Sequence, residues 1–377
     1  MVKIREFRIL FLEPQPCIRA LKYGKALTSY LGSRVSLCFG YNGYSLNTIY
    51  GYGDEYFEQM VKLDVDAIDY GIGSLIDDFD PTLIHSHNAP NTLTLSAINV
   101  SGDIPVIHDV HEVLSIHNSG FSTGDDEDTL SRYHEEEKRA NEESDGRIYA
   151  TEGIGEYIHQ HYDVDAKNDM TFLNYVSESD VPRCFKEKRS AKDEEVHIVY
   201  IGCVTSVVKG SHYDLIEIFK DIASHGLHIH IYPTSNVITQ SNHSYKTLAD
   251  SNEFIHFHGN MNRKRLLQEI TQYDFGWAGF NRTENIKHLD IAFPNKVMEY
   301  VVCGLPVLAF PHQTVQRFIE KHGVGLIFDG IDTLEELLRT ENLSTIRENV
   351  LNSRHRFAIE NQIPRVVNFY EHMMDGG

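Results

Sequence analysis

The chain has little that would place it in a membrane, a disulfide framework or a metal-dependent hydrolase. None of its apolar runs approaches the roughly 20 residues that a helix needs to cross a bilayer. Its first residues, Met1-Val-Lys-Ile-Arg-Glu-Phe-Arg8, pass from charges straight into a strand-like run. They lack the apolar stretch and small-residue cleavage site of a signal peptide, so a cytoplasmic protein is expected. The five cysteines, Cys17, Cys38, Cys184, Cys203 and Cys303, are odd in number and never spaced as Cys-x-x-Cys. They read as reduced thiols, not as disulfides or a zinc site. His-Glu-x-x-His, the Gly-x-Ser-x-Gly elbow and the Walker loop are missing. Positive charge is scarce: 34 Lys and Arg face 55 Asp and Glu. Residues 1–180 hold 13 of the former and 31 of the latter, the wrong balance for a nucleic acid partner.

Histidine, by contrast, is abundant, with 21 residues. The pairs His85/His87, His228/His230 and His256/His258 alternate along strand-like runs. With no metal-ligand spacing among them, they read as strand-end histidines near a cleft, and no metal is expected. Residues 1–40 depart from the acidic trend, since Lys3, Arg5, Arg8, Arg19, Lys22, Lys25 and Arg34 face only Glu6 and Glu13. Two readings stand: a solvated helix face, or a local site for a phosphorylated acceptor or an anionic membrane surface. On the second, Arg19 and Lys22 are acceptor-side residues, and the protein sits peripherally at the inner face of the membrane.

At 377 residues the chain is long enough for two domains of ordinary size. Short apolar runs alternate with helix-length amphipathic stretches: Arg8–Leu12, the helix Ile18–Leu31, then Val35–Phe39, Thr82–Ser86, Pro105–His108 and Arg147–Ala150. Continuous apolar strands with helical crossovers predict an α/β fold with a doubly wound parallel sheet. The pattern breaks into a polar stretch at 183–195, read as an interdomain linker. It restarts with Val196–Ile201, Leu227–Tyr232, Phe254–Phe257, Phe275–Ala278 and Pro306–Phe310. Two Rossmann-like domains, 1–182 and 183–356, are therefore expected, facing a central cleft at the carboxyl ends of their strands.

The densest local signal is Phe293-Pro-Asn-Lys-Val-Met-Glu-Tyr-Val-Val-Cys-Gly-Leu-Pro-Val307. It reads as a helix opened near Pro294, stopped at Gly304 and followed by a strand. A helix start offers free N–H groups and a positive dipole end to an anion such as a diphosphate. Glu299, on the first turns, can accept paired hydrogen bonds from a ribose diol.

This segment resembles the donor-site signature of GT-B glycosyltransferases, most closely the retaining family 4. The resemblance implies that Glu299 binds the ribose of a nucleotide sugar, beside Pro294, Asn295 and Lys296. Val199-Tyr-Ile-Gly202 followed by Lys209-Gly210 is similar to the first strand and loop of the family's C-terminal domain, where the lysine meets the diphosphate. Phe254-Ile-His-Phe-His-Gly259 is similar to the strand and turn whose backbone, here His258 and Gly259, meets the nucleobase. Pro105-Val-Ile-His-Asp-Val-His-Glu112 resembles the segment that carries a catalytic histidine to the donor sugar, which places His111 in that role. Residues 357–374 resemble the C-terminal helix that packs back on the first domain. Two positions depart from the family pattern. Eight residues before Glu299 stands Ile291 in place of a glutamate, and six before Lys209 stands Cys203 in place of an arginine.

The resemblance implies transfer of a sugar from a nucleoside diphosphate sugar to a hydroxyl acceptor, a glycan or lipid-linked glycan, with retention. No divalent metal or other cofactor is required, and activity is expected to survive a chelator. A nucleotide-sugar epimerase of the same fold and a non-catalytic glycan-binding subunit are the alternatives, the latter suggested by Ile291 and Cys203.

Overall fold

In a computed structural model, the protein is described at residues 5–116, 127–206, 211–234, 239–281 and 285–376. The chain forms two compact units. One is built from the chain before residue 117, from 127–177 and from Ile359 onward, the other from Glu178–Ala358.

The first unit holds a seven-stranded parallel sheet made of β1 (Phe7–Leu12), β2 (Val35–Tyr41), β3 (Gln59–Lys62), β4 (Leu83–His87), β5 (Val106–Val110), β6 (Gly146–Tyr149) and β7 (Asp169–Thr171). Its order is β3-β2-β1-β4-β5-β6-β7. The second unit holds a six-stranded parallel sheet: β8 (His197–Gly202), β9 (His228–Pro233), β10 (Ile255–Phe257), β11 (Phe275–Trp277), β12 (Val307–Ala309) and β13 (Gly325–Ile327), ordered β10-β9-β8-β11-β12-β13. Both orders reverse once, between β1 and β4 and between β8 and β11. That reversal opens a crevice at the carboxyl ends of those strands. The doubly wound α/β architecture read from the apolar runs is thus the one observed.

The interior strands formed where expected because helices cover both faces. Every residue of β4 and β5 is buried, as is Ile9 through Leu12 of β1. The three unforeseen strands, β3, β7 and β13, all lie at sheet edges. They are only three or four residues long, and β3 and β7 are at best half-buried, so their pattern carries little apolar signal.

The helix Ile18–Leu31 starts at Cys17, whose Sγ accepts from the Arg19 N–H, and stops at Gly32, whose φ of 59° suits glycine. Leu21, Leu27 and Leu31 are buried on one side as the spacing required. The last helix, Ile363–Met374, also belongs to the first unit. It packs so close to β6 that a Cβ on Gly146 would lie 2.9 Å from Met373 Sδ and 3.1 Å from the Phe369 ring. The polar stretch read as a linker is bound to the second unit instead. The Lys188 ammonium donates to the Thr271 carbonyl (3.0 Å), Arg189 Nε to Gln272 Oε1 (3.1 Å) and Ser190 Oγ to Asp274 Oδ1 (2.6 Å).

Candidate active site

The crevice of the second sheet is built by the helix Asn295–Val302. Its Tyr300 hydroxyl accepts from the Ile201 N–H and donates to the Trp277 carbonyl, both at 3.0 Å, so it ties β8 to β11 where the order reverses. A Cβ on Gly276 would fall 2.1 Å from the Tyr300 ring, which is why β11 carries glycine there. Gly202 ends β8 at φ 137°, a conformation that favours glycine. A Cβ at Gly202 would also sit 3.1 Å from Lys296 Nζ.

Lys296 is turned inward and 7% exposed. Its ammonium lies 4.0 Å from the centre of the Tyr200 ring and 5.0 Å from that of Phe280. Among the described residues it has no hydrogen-bond partner. Burial pulls its pKa down to about 7, although the Glu299 carboxylate and Cys203 favour the charge. Cations over aromatic faces are attracted by the ring quadrupole, but a buried ammonium with no acceptor remains costly. Such a group is poised for an anion. Cys203, where an arginine was expected, lies close enough to feel the Lys296 charge. Lys296 thus brings a cation from the helix to the side of Cys203.

Glu299 is also buried, and in this structure its carboxylate is engaged. Arg263 Nη1 donates to Glu299 Oε1, and Arg263 Nε meets Asp180 Oδ2 at 3.3 Å. Sequence reasoning missed Arg263, which stands 36 residues away with no local cue beyond the start of a helix. Arg263 Nη2 has no hydrogen-bond partner among the described residues. The guanidinium therefore orients the Glu299 carboxylate and has a donor to spare.

Pro294 caps the helix in extended conformation, while Asn295 is exposed at its first position. Lys209 and Gly210 lie outside the described residues. Gly259 is exposed with open space around its Cα. His258 differs from expectation: its N–H donates to the Ile231 carbonyl at 2.9 Å, so that backbone donor is already used. Its ring bonds His230 (3.0 Å) and stacks on Tyr232 at 4.3 Å.

His258 ends a ladder of imidazoles. His197 bonds His230 (2.9 Å), and His228 bonds His256 (2.9 Å). Parallel register aligns His197 with His228 and His230 with His256. His197 and His228 open their strands, so they stand at the amino end of the sheet, away from the ligand end. That corrects the reading of His228 as a cleft histidine, while His230 and His256 lie within their strands and not at strand ends. Ile291 ends a short helix, and its neighbour Asp290 accepts from the Gln313 N–H at 3.4 Å. Asp290 thus supports the start of the helix Gln313–His322.

In the first unit, His111 follows β5. Its N–H donates to Asn88 Oδ1 (3.0 Å), which shapes the turn. Burial holds its imidazole down to about 4 against the pull of Asp109, so it is neutral near pH 7. Its Nε2 lies 3.9 Å from Glu13 Oε1. Glu13 is 2% exposed, and burial pushes its carboxyl up to about 8.

Arg19 is not a surface cation. Its Nε reaches both oxygens of Asp109 (3.0 and 3.1 Å), and its other nitrogens donate to Asn174 Oδ1 (2.8 Å) and the Tyr23 hydroxyl (3.1 Å). Lys22 is 3% exposed. Both therefore belong to the packed face of their helix, which corrects the acceptor-side and membrane-surface readings of Arg19 and Lys22. The buried charge of Arg19 is neutralised by Asp109. Asp109 also bonds His85 (3.1 Å), whose other nitrogen meets the Tyr370 hydroxyl at 2.6 Å. No helix among the described residues is long and apolar enough to cross a membrane.

Comparison with known proteins agrees with this geometry. Residues 226–358 match the family model described as "Glucosyltransferase 3-like, C-terminal domain". No curated protein matches by sequence. A glycosyltransferase from Rickettsia africae superposes with a TM-score of 0.70 at 12% identity, covering 99% of this chain and 100% of that one. Sucrose-phosphate synthase from Thermosynechococcus elongatus gives 0.71 at 12%, covering 98% and 99%. Anabaena HepE, solved in complex with UDP-glucose, gives 0.64 at 15%, covering 96% and 100%. The fold is that of the GT-B glycosyltransferases.

Proposed function

We propose that this protein transfers a sugar from a nucleoside diphosphate sugar to a hydroxyl acceptor on a glycan or lipid-linked glycan, with retention. The observation that carries the reading is Lys296: a buried ammonium without an acceptor among the described residues, at the sheet crevice, three residues from Glu299 and beside a helix start. A diphosphate supplies the missing anion. Lys296 and the helix dipole stabilise the charge that grows on the leaving diphosphate. Glu299, oriented by Arg263, holds the ribose diol. Neutral His111 orients or polarises the sugar hydroxyls and is not a nucleophile. These donor contacts need no metal. Lys296 also weakens the case for a non-catalytic subunit, since it stands in for the cation absent at Cys203. UDP sugars are the first donors to test, because HepE was solved with UDP-glucose.

A thermal-shift screen of nucleotide sugars tests the reading. One nucleotide class is expected to raise the melting temperature, and Glu299→Ala to remove most of that rise. Absence of any shift, or an equal shift in the variant, would count against it.

A further inference from the structure

The crevice of the first sheet holds a second, unlike constellation. Glu13 follows β1, Cys17 caps the helix that comes after the same loop and His87 ends β4, so two segments meet where the strand order reverses. One ligand atom from each, a carboxylate oxygen, a thiol sulfur and an imidazole nitrogen, lies within 4.8 Å of the other two. His87 is fully buried, yet neither of its ring nitrogens has a hydrogen-bond partner among the described residues. His111 Nε2, 3.9 Å from Glu13, is likewise buried and without a hydrogen bond. A buried imidazole with both nitrogens idle is costly and uncommon. No described residue hydrogen-bonds it, while a carboxylate oxygen and a thiol sulfur lie within 4.8 Å.

The adjacent grouping His85, His87 and Asp109 is already committed. Asp109 is held by Arg19, and both nitrogens of His85 are bonded. In the set Glu13, Cys17 and His87, Glu13 Oε2 accepts only the Cys17 N–H (2.9 Å) among the hydrogen bonds of the described residues, and His87 has both nitrogens unbonded among them. We infer that Glu13, Cys17 and His87 bind a divalent transition ion of the zinc type, with a fourth position open beside His111.

Charge and softness agree. Carboxylate and thiolate together cancel a 2+ ion, and Arg19 with Asp109 forms a neutral pair. A sulfur and an imidazole nitrogen select zinc or cobalt over magnesium, manganese or calcium. The Cys17 sulfur accepts the Arg19 N–H at 3.3 Å; burial beside Glu13 holds the free thiol protonated, so a bound ion displaces that proton. Three protein ligands with one position free is the arrangement of zinc sites that bind water or a substrate oxygen. Cys17 is only half-buried, which leaves a route for the ion.

The test uses the full chain stripped with EDTA and then titrated with Zn²⁺ and Co²⁺ by calorimetry and absorption. One equivalent of either ion is expected to bind, and Co²⁺ to give a thiolate-to-metal charge-transfer band. Mg²⁺ should produce no heat. Cys17→Ser should abolish the band, and His87→Ala should weaken binding by more than about a hundredfold, beyond the loss of an outer ligand partner. Cys184→Ser, at an exposed cysteine elsewhere, should change neither. Absence of the band in the parent protein, or its persistence in Cys17→Ser, would overturn the inference. Should a variant not fold, X-ray absorption of the zinc-loaded parent decides: one sulfur among nitrogen and oxygen ligands supports the site, and a shell without sulfur refutes it. Donor binding in the second unit is expected to withstand EDTA, so its loss would bear on the transferase reading and not on this one.

Discussion

The two sheets share a strand order and a reversal point, but their crevices are filled in opposite ways. In the second unit, one buried ammonium sits over aromatic rings with no hydrogen-bond partner among the described residues. In the first, carboxylates, a thiol and imidazoles crowd together, and the buried guanidinium is fully occupied by Asp109, Asn174 and Tyr23. The topology thus provides a crevice, while the side chains at strand ends decide which charge it receives. A lone cation predicts an anionic ligand. A paired one predicts structure.

The largest effect expected from breaking this contrast is in the first unit. Arg19→Leu leaves Asp109 buried without its partner and should cost about 3–5 kcal/mol of stability. Chemical denaturation would show it, and a loss below about 1 kcal/mol would mean that Arg19 is not the structural cation described here.

Next comes Lys296→Gln, which should spare the fold and weaken nucleoside diphosphate binding by roughly ten- to a hundredfold. That is the range of a charge-assisted contact, about 1.5–3 kcal/mol. Calorimetry that found unchanged affinity would remove Lys296 from the donor site. The two substitutions together separate a cation that holds the fold from one that holds a ligand.

The smallest effect is a pH slope. Free Lys296 loses its proton near pH 7, whereas a bound diphosphate holds the ammonium charged. Binding therefore takes up a proton at higher pH. Affinity should be level below about pH 7 and fall above it, by at most about tenfold per unit. Lys296→Arg, which keeps its charge, should flatten the slope. A parent profile that is flat from about pH 7 to 9 would contradict the assignment.

Much of this was legible in the sequence, and the limits have physical causes. Interior strands such as Leu83–His87 and Val106–Val110 announce themselves because both faces must be apolar or satisfied. Edge strands such as Gln59–Lys62 need only one covered side and leave a weak trace. The helix Asn295–Val302 was legible because Pro294, Lys296, Glu299 and Gly304 lie within a dozen residues of one another. Their partners were not. Arg263 meets Glu299 across 36 positions, Arg19 meets Asp109 across 90, and His85 meets Tyr370 across 285. The direction of a side chain was equally hidden. Arg19 read as a surface cation, and packing turned it inward, as it did Lys296.

The sequence by itself determined the alternation of strands and helices, the two sheets and the local chemistry of the donor helix, because periodicity and capping act over a few residues. Only the tertiary structure decided which charges are paired. It bonded Arg19 to Asp109, left Lys296 without an acceptor among the described residues and gathered Glu13, Cys17 and His87 at one crevice. Those outcomes depend on which strand ends become neighbours when the sheet closes, and no short-range pattern encodes that.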